Sequence, residues 1–358
     1  MKRLLVLLLC GGFLAACADD AKEAGDPSGA ISAPPAAQGT AALWASVPET
    51  ISPEWGAFFA TNGEIRERGV PASDDTAGWL ALQEAVRARQ QPVAEGLARA
   101  FDLTIRERVL GGIPIVEISP ANPASDDKIG VYAHGGAYIQ GAAKNPQAVL
   151  FSAATGLRVI SIEYTLAPHS KWQDTTAQVL AVFSALAEEG YSPSHTVLGG
   201  DSAGGGLAAG SVLRMRDEGM EMPAALVLWS PWADISETGD TYLTLRDAEV
   251  SFTYSNVLGP AALVYADPDD HRHPFVSPVY GDFNNGFPPT LIQGGTREIF
   301  LSNFVRLYQA LDQAGQNVKL DLYEGMPHVF MAQLPDTAEA KTALAKTGDW
   351  VSEHLLDD

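Results

Sequence analysis

Cysteine is nearly missing from this chain of 358 residues: there are two, Cys10 and Cys17, both within the first 17 positions. A disulfide framework, a CxxC redox pair and a cysteine-based zinc site are therefore excluded from the body of the protein. Basic residues are scarce as well, 23 Lys and Arg against 44 Asp and Glu, for a formal net charge of −21. Binding nucleic acid takes clustered cations against phosphate, and this balance argues against it. The apolar run Leu4–Leu14 falls well short of the ~20 residues that span a bilayer. What the chain does have is a large apolar fraction, 46%, with 19% charged residues. That suffices for a substantial core and is incompatible with a long disordered polyelectrolyte.

The first segment reads as an address. Lys2 and Arg3 precede the apolar run, which closes on Leu14-Ala15-Ala16-Cys17. Residues 1–16 are thus expected to be a secretory signal. A buried N-terminal helix is the alternative, disfavoured by Gly11-Gly12 and by the lack of a following cap. The ending resembles the lipobox of bacterial lipoproteins. That resemblance implies acylation of Cys17 as the first mature residue and a lipid-anchored, exported protein of the bacterial cell envelope. The loss of Lys2 and Arg3 would leave the mature chain two charges more negative. Ala18, standing where an Asp would favour the inner membrane, points to the outer one. Residues 17–43 are rich in Ala, Gly, Pro, Ser and Asp, and are expected to form a flexible tether.

From residue 44 to 110 the chain reads mainly as helices, expected to form an N-terminal cap region. Trp79, Leu80, Leu82, Ala85 and Val86 fall at helical spacing there. From Gly111 the texture changes to short apolar runs: Ile113–Ile118, Ile129–Ala133, Arg158–Ile162, Thr196–Leu198, Ala224–Trp229, Thr290–Ile292 and Val318–Leu322. Amphipathic stretches lie between several of them. Val179, Leu180, Phe183 and Leu186 share one helical face, and Phe304, Leu307, Tyr308 and Leu311 share another. Apolar strands alternating with helices predict an α/β fold, a mostly parallel sheet covered on both faces, over residues 111–358. Residues 236–287 show no strand character and are too long for an ordinary connection, so a lid-like insertion is expected.

Gly200-Asp201-Ser202-Ala203-Gly204 matches G-x-S-x-G. The bare pattern is weak, and a serine capping a Gly-rich helix would give the same letters. Here a strand-like run enters it and a helical stretch, Ala203–Arg216, leaves it, the setting of a nucleophile elbow. Upstream, His134-Gly135-Gly136-Ala137-Tyr138 follows another run; its small residues let backbone N–H groups approach an oxyanion, joined by the N–H of Ala203. His134, inside that loop, is expected to brace it. A serine hydroxyl needs a base. Of seven histidines, His328 in Gly325-Met-Pro-His-Val-Phe follows the last expected strand and can reach back over the sheet edge. Glu298, after the Thr290–Ile292 run, is the favoured acid for orienting the imidazole, with Asp234 in reserve. Asp267-Pro-Asp-Asp-His271-Arg-His273 could hold a metal but reads better as a polar loop of the insertion. Trp229, Trp232 and Phe252 stand without an assigned role.

Taken in order, HGGAY, GDSAGG, SPWAD, PPTLIQGG and GMPHVF resemble the bacterial hormone-sensitive-lipase-like esterases of the α/β-hydrolase fold, over roughly residues 110–350. The resemblance implies Ser202 as nucleophile, Glu298 as acid, His328 as base and Gly136, Ala137 and Ala203 as oxyanion donors. It also implies a carboxylic ester substrate of short or medium acyl length, with no metal or cofactor. Three departures stand out. Ala137 replaces a third glycine, Arg297 replaces the Asp common before the acid, and Tyr164-Thr-Leu-Ala-Pro-His-Ser lacks the family's charged Arg and Glu. A lactonase or an amide or formamide hydrolase would use the same triad. A non-catalytic binding protein, as in plant gibberellin receptors that have lost the histidine, is disfavoured by His328, and a structural envelope lipoprotein by the whole set.

Overall fold

The computed structural model describes residues 47–62 and 69–356. The expected signal sequence, Cys17 and tether lie outside them. All seven apolar runs form strands: β2 (Ile113–Pro120), β3 (Ile129–Ala133), β4 (Val159–Ile162), β5 (Thr196–Asp201), β6 (Ala225–Trp229), β7 (Thr290–Gly295) and β8 (Val318–Tyr323). An eighth strand, β1 (Leu103–Leu110), precedes them and gives the sheet order β1-β2-β4-β3-β5-β6-β7-β8. Pairing is parallel from β4 to β8 across the sheet and antiparallel at β1–β2 and β2–β4.

The helical reading of residues 44–110 therefore holds for α1 (Pro53–Asn62) and α2 (Thr76–Ala100) and fails at Leu103–Leu110. In that strand the two ends are buried and the middle is mostly exposed, so Arg106, Glu107 and Arg108 hide the apolar pattern. The sequence marks the strand's end with Gly111-Gly112. Both adopt positive φ, 57° and 79°, and Leu110 faces Ile113 across them, a two-residue hairpin turn that glycine enters without strain.

Every residue of β3, β5 and β6 is buried, as a sheet covered on both sides requires. On one side Val131, Leu198 and Leu228 pack with α4 (Trp172–Glu188), α5 (Ala203–Asp217) and α8 (Leu301–Gln313). On the other, Tyr132, Val197 and Val227 pack with α3 (Pro146–Thr155) and α10 (Ala338–Val351). Residues 236–287 carry no strand but hold α6 (Thr241–Thr244), a π-turn at Tyr254–Leu258 and α7 (Gly259–Tyr265). A short α9 (Phe330–Gln333) follows the His328 loop. The insertion is locked onto the His134–Tyr138 loop by Tyr265, whose ring stacks on Tyr138 at 3.6 Å.

Candidate active site

Strand β5 ends at Asp201 and α5 begins at Ala203, leaving Ser202 alone in the turn. Its φ of 53° and ψ of −124° lie in a region that residues other than glycine enter at a cost. The turn closes because glycine stands on both sides. A Cβ on Gly200 would come within 3.0 Å of the Gly204 backbone, and one on Gly204 would strike the carbonyls of Ala133 and His134. The backbone of Ser202 is pinned on both sides, its N–H donating to Trp229 O at 2.8 Å and its carbonyl accepting from Trp232 N at 2.8 Å.

The loop after β3 is wound against this elbow. Gly136, Ala137 and Tyr138 have successive φ values of 112°, 52° and 63°, and the carbonyl of Gly136 accepts from both Ile139 and Gln140. Asp201 joins loop and elbow: its Oδ1 accepts from Gly135 N and from the Tyr132 hydroxyl, both at 3.0 Å. Burial pushes this carboxyl up to about 6, against the pull of those hydrogen bonds. The N–H groups of Gly136, Ala137 and Ala203 donate no hydrogen bond among the described residues. Gly136 and Ala137 line the same cavity as Ser202, and Ala203 opens a 15-residue helix whose dipole favours negative charge at that end. His134 braces the loop as expected. It stacks on Tyr164 at 4.2 Å, the Tyr164 hydroxyl donates to its carbonyl at 2.7 Å, and burial lowers its pKa, keeping it neutral.

Opposite Ser202, the loop after β8 carries His328, whose Nδ1 lies 2.6 Å from Glu298 Oε2. An ionised carboxylate can only accept, so the proton of that bond is on Nδ1 and Nε2 is left for the cavity. The other oxygen of Glu298 accepts from Gly295 N at 2.6 Å and from the Ser230 hydroxyl at 2.8 Å. Ser230 Oγ in turn accepts from Val329 N at 3.0 Å, so one hydroxyl ties Glu298 to the His328 loop. Burial disfavours the charged imidazole, but the hydrogen bond and charge of Glu298, with Glu249 and Asp201, outweigh it and hold the pKa of His328 above its ordinary value. The ring is gripped edge-on by Phe252 at 4.8 Å and Phe300 at 5.3 Å. Ser202 and His328 face one cavity of about 340 Å³, walled by Phe252, Val257 and Leu258 from the insertion and by Arg89 and Gln90 from α2.

The other candidates fall elsewhere. Asp234, the reserve acid, accepts from Tyr280 at 2.9 Å and Arg306 at 2.7 Å and is bound up in that network. Asp267 pairs with Lys171, Asp270 accepts from Trp172 Nε1 at 2.9 Å, and His273 stacks on Trp172 at 4.5 Å, so that loop braces the stretch after Tyr164. Among the described residues no group of three or more His, Cys, Asp or Glu is arranged for a metal. Trp229 packs on the far side against Tyr132 and Phe151, and Trp232 backs Phe300. Arg297 lies over the ring of Phe59 in α1 at 5.0 Å. Sequence reasoning missed Ser230 and the bracing role of Asp201, although both stand inside motifs that it singled out.

A strained serine facing a carboxylate-bound imidazole, at the carboxyl ends of a mostly parallel sheet, is the arrangement of α/β hydrolases. Comparison with known proteins agrees. A family model for the alpha/beta hydrolase fold matches residues 130–332. LipR of Mycobacterium tuberculosis, named as an acetyl-hydrolase, is 33% identical over 262 residues, 72% of this chain and 83% of its own. An esterase of Acinetobacter venetianus is 30% identical over 273 residues, 75% of this chain and 89% of its own. The crystal structure of an esterase called E25 superposes with a TM-score of 0.80 at 29% identity, covering 86% of this chain and 96% of that one. Another, from the bacterial hormone-sensitive lipase family, gives a TM-score of 0.68 at 29% identity over 77% and 98%. The chain belongs to the α/β-hydrolase family, among its bacterial hormone-sensitive-lipase-like esterases.

Proposed function

We propose that the protein is a serine carboxylesterase that cleaves short- to medium-chain carboxylic esters through an acyl-enzyme. The observation that carries this reading is the 2.6 Å bond from His328 to Glu298, with His328 and Ser202 lining one cavity. Ser202 Oγ attacks the ester carbonyl as its proton passes to Nε2 of His328, while Glu298 stabilises the imidazolium. The oxyanion is met by the N–H groups of Gly136, Ala137 and Ala203. His328 returns the proton to the departing alcohol, and water repeats the sequence on the acyl-enzyme. Relatives named for acetyl hydrolysis support short acyl groups, as does a cavity near the low end of the ~300–1,000 Å³ typical of ligand sites. The test is hydrolysis of p-nitrophenyl acetate, butyrate and palmitate. The first two should be cleaved well and the palmitate poorly, and Ser202→Ala should lose at least about 10³-fold in kcat with an unchanged fold. Turnover near wild type in that variant rejects the mechanism.

The sequence also supports a lipid anchor at Cys17 after removal of residues 1–16, with the enzyme held at the outer membrane of a bacterial envelope. No helix among the described residues is long and apolar enough to cross a membrane, so this reading rests on the lipobox. Expressed in a bacterium, wild type should partition into detergent and Cys17→Ser into the aqueous phase. Equal partitioning of the two speaks against the anchor.

A further inference from the structure

The reaction described above leaves one buried acid beside the site unused. Glu249, at the start of the segment that supplies Ser251 and Phe252 to the cavity wall, is 1% exposed. Its Oε1 accepts from Ser251 N at 2.8 Å and its Oε2 from Ile299 N at 3.4 Å, and Ile299 directly follows Glu298. The carboxylate thus clamps the insertion to the loop of the acid, and two residues beyond Ser251's neighbour Val250 the ring of Phe252 meets His328 edge-on. If satisfying two backbone amides were the whole task, a neutral side chain would do it without the cost of burying an ionisable group. Its charge has a better use next to a base.

We propose that Glu249 is a positioning residue for His328, holding Phe252 against the imidazole and supplying a second negative charge that favours the imidazolium formed as Ser202 attacks. The inference rests on the Ser202–His328–Glu298 reading and adds to it. Glu298 acts through a hydrogen bond, whereas Glu249 acts through space, where low dielectric strengthens the attraction. Among the described residues the charged groups that face Glu249 are His328, Glu298 and Arg297. Burial pushes its carboxyl up to about 7, Glu298 adds to this, and His328 and the Ser251 hydrogen bond oppose it. The charge on each group favours the charged form of the other, so the two ionisations are linked.

Removing the charge lowers the imidazole pKa, because Glu249 is one of the groups that raise it. In Glu249→Gln, which keeps one acceptor, the acid limb of kcat/KM for p-nitrophenyl butyrate should move to lower pH. The plateau kcat should fall on the order of tenfold with KM little changed, the scale of one charge-assisted interaction lost from the transition state. An acid limb that stays in place or moves up overturns the proposal. If the variant does not fold, wild type decides: with Asp201, which also acts on His328, kept in view as a separate carboxyl signal, the ¹³C-carboxyl titration of Glu249 should carry an inflection that coincides with that of the His328 ¹⁵N signal, and a Glu249 carboxyl that titrates with no inflection shared with His328 overturns it. Activity surviving in Ser202→Ala would sink the underlying esterase reading, whereas an inactive Ser202→Ala with an unmoved limb in Glu249→Gln sinks this inference alone.

Discussion

Asp201 shows how much one residue beside Ser202 has to do. It sits between Gly200 and Ser202, is 4% exposed, and holds Gly135 and Tyr132 with a single oxygen. Its carboxyl is raised from 3.8 to about 6, chiefly by burial. A carboxyl whose folded pKa is raised binds its proton more tightly in the folded state, so ionisation costs stability as pH rises through that window. Asp201→Asn can still accept both bonds and has no proton to lose. Relative to wild type, the variant should therefore gain stability between about pH 4 and pH 6 and hold that gain above it. The shift corresponds to about 2–3 kcal/mol at most. Urea denaturation of both proteins at pH 4 and pH 7 checks this, and a difference that does not change with pH contradicts it. Ser230 works by the same logic without charge, its hydroxyl donating to Glu298 and accepting from Val329.

At the scale of elements, the least expected support for the site comes from α1. Trp55 is fully buried, with its ring 5.2 Å from Phe58 and 6.5 Å from Phe330, which follows His328 by two residues. Trp55→Ala should cost about 3–5 kcal/mol in chemical denaturation, the usual range for emptying such a site. It should also lower kcat, since the backing of the His328 loop goes with it; unchanged stability would show that the helix is not packed as described. The sequence made the parallel strands legible because strands buried on both faces are written as unbroken apolar runs, as in Ile129–Ala133 and Ala225–Trp229. It obscured β1 because an edge strand needs few apolar residues. Ser202, Glu298 and His328 were legible as candidates because each ends or follows a strand in a set order, and the structure brings Glu298 and His328 into contact and His328 and Ser202 to one cavity. Ser230 and Glu249 were not, because the partner that ties each to the site lies far along the chain, Val329 at a separation of 99 residues from Ser230 and Ile299 at 50 from Glu249. No local pattern encodes such a pairing.

The whole molecule is strongly acidic, with 44 Asp and Glu against 23 Lys and Arg. A field of that sign raises the local concentration of cations and repels anions over about a Debye length, ~10 Å at 0.1 M salt. A cationic ester should therefore show a higher kcat/KM than a matched anionic one at low ionic strength, and the gap should narrow as salt is added. A gap insensitive to salt would place the preference in the cavity itself. The stretch ahead of α1 packs beside the loop that carries His328. Thr50 donates to Glu324 at 2.5 Å, and Ser52 reaches Glu339 through its N–H at 2.7 Å and its hydroxyl at 2.6 Å. Pro48 and Ile51 close on Gly325, three residues before His328. A mechanical load drawn through the chain ahead of Val47 would reach these contacts first. Once they part, the His328 loop loses its backing from this stretch although no strand pairing of the sheet is involved. Pulling on that end should therefore lower turnover before the sheet unfolds, and activity that persists up to global unfolding under force contradicts this.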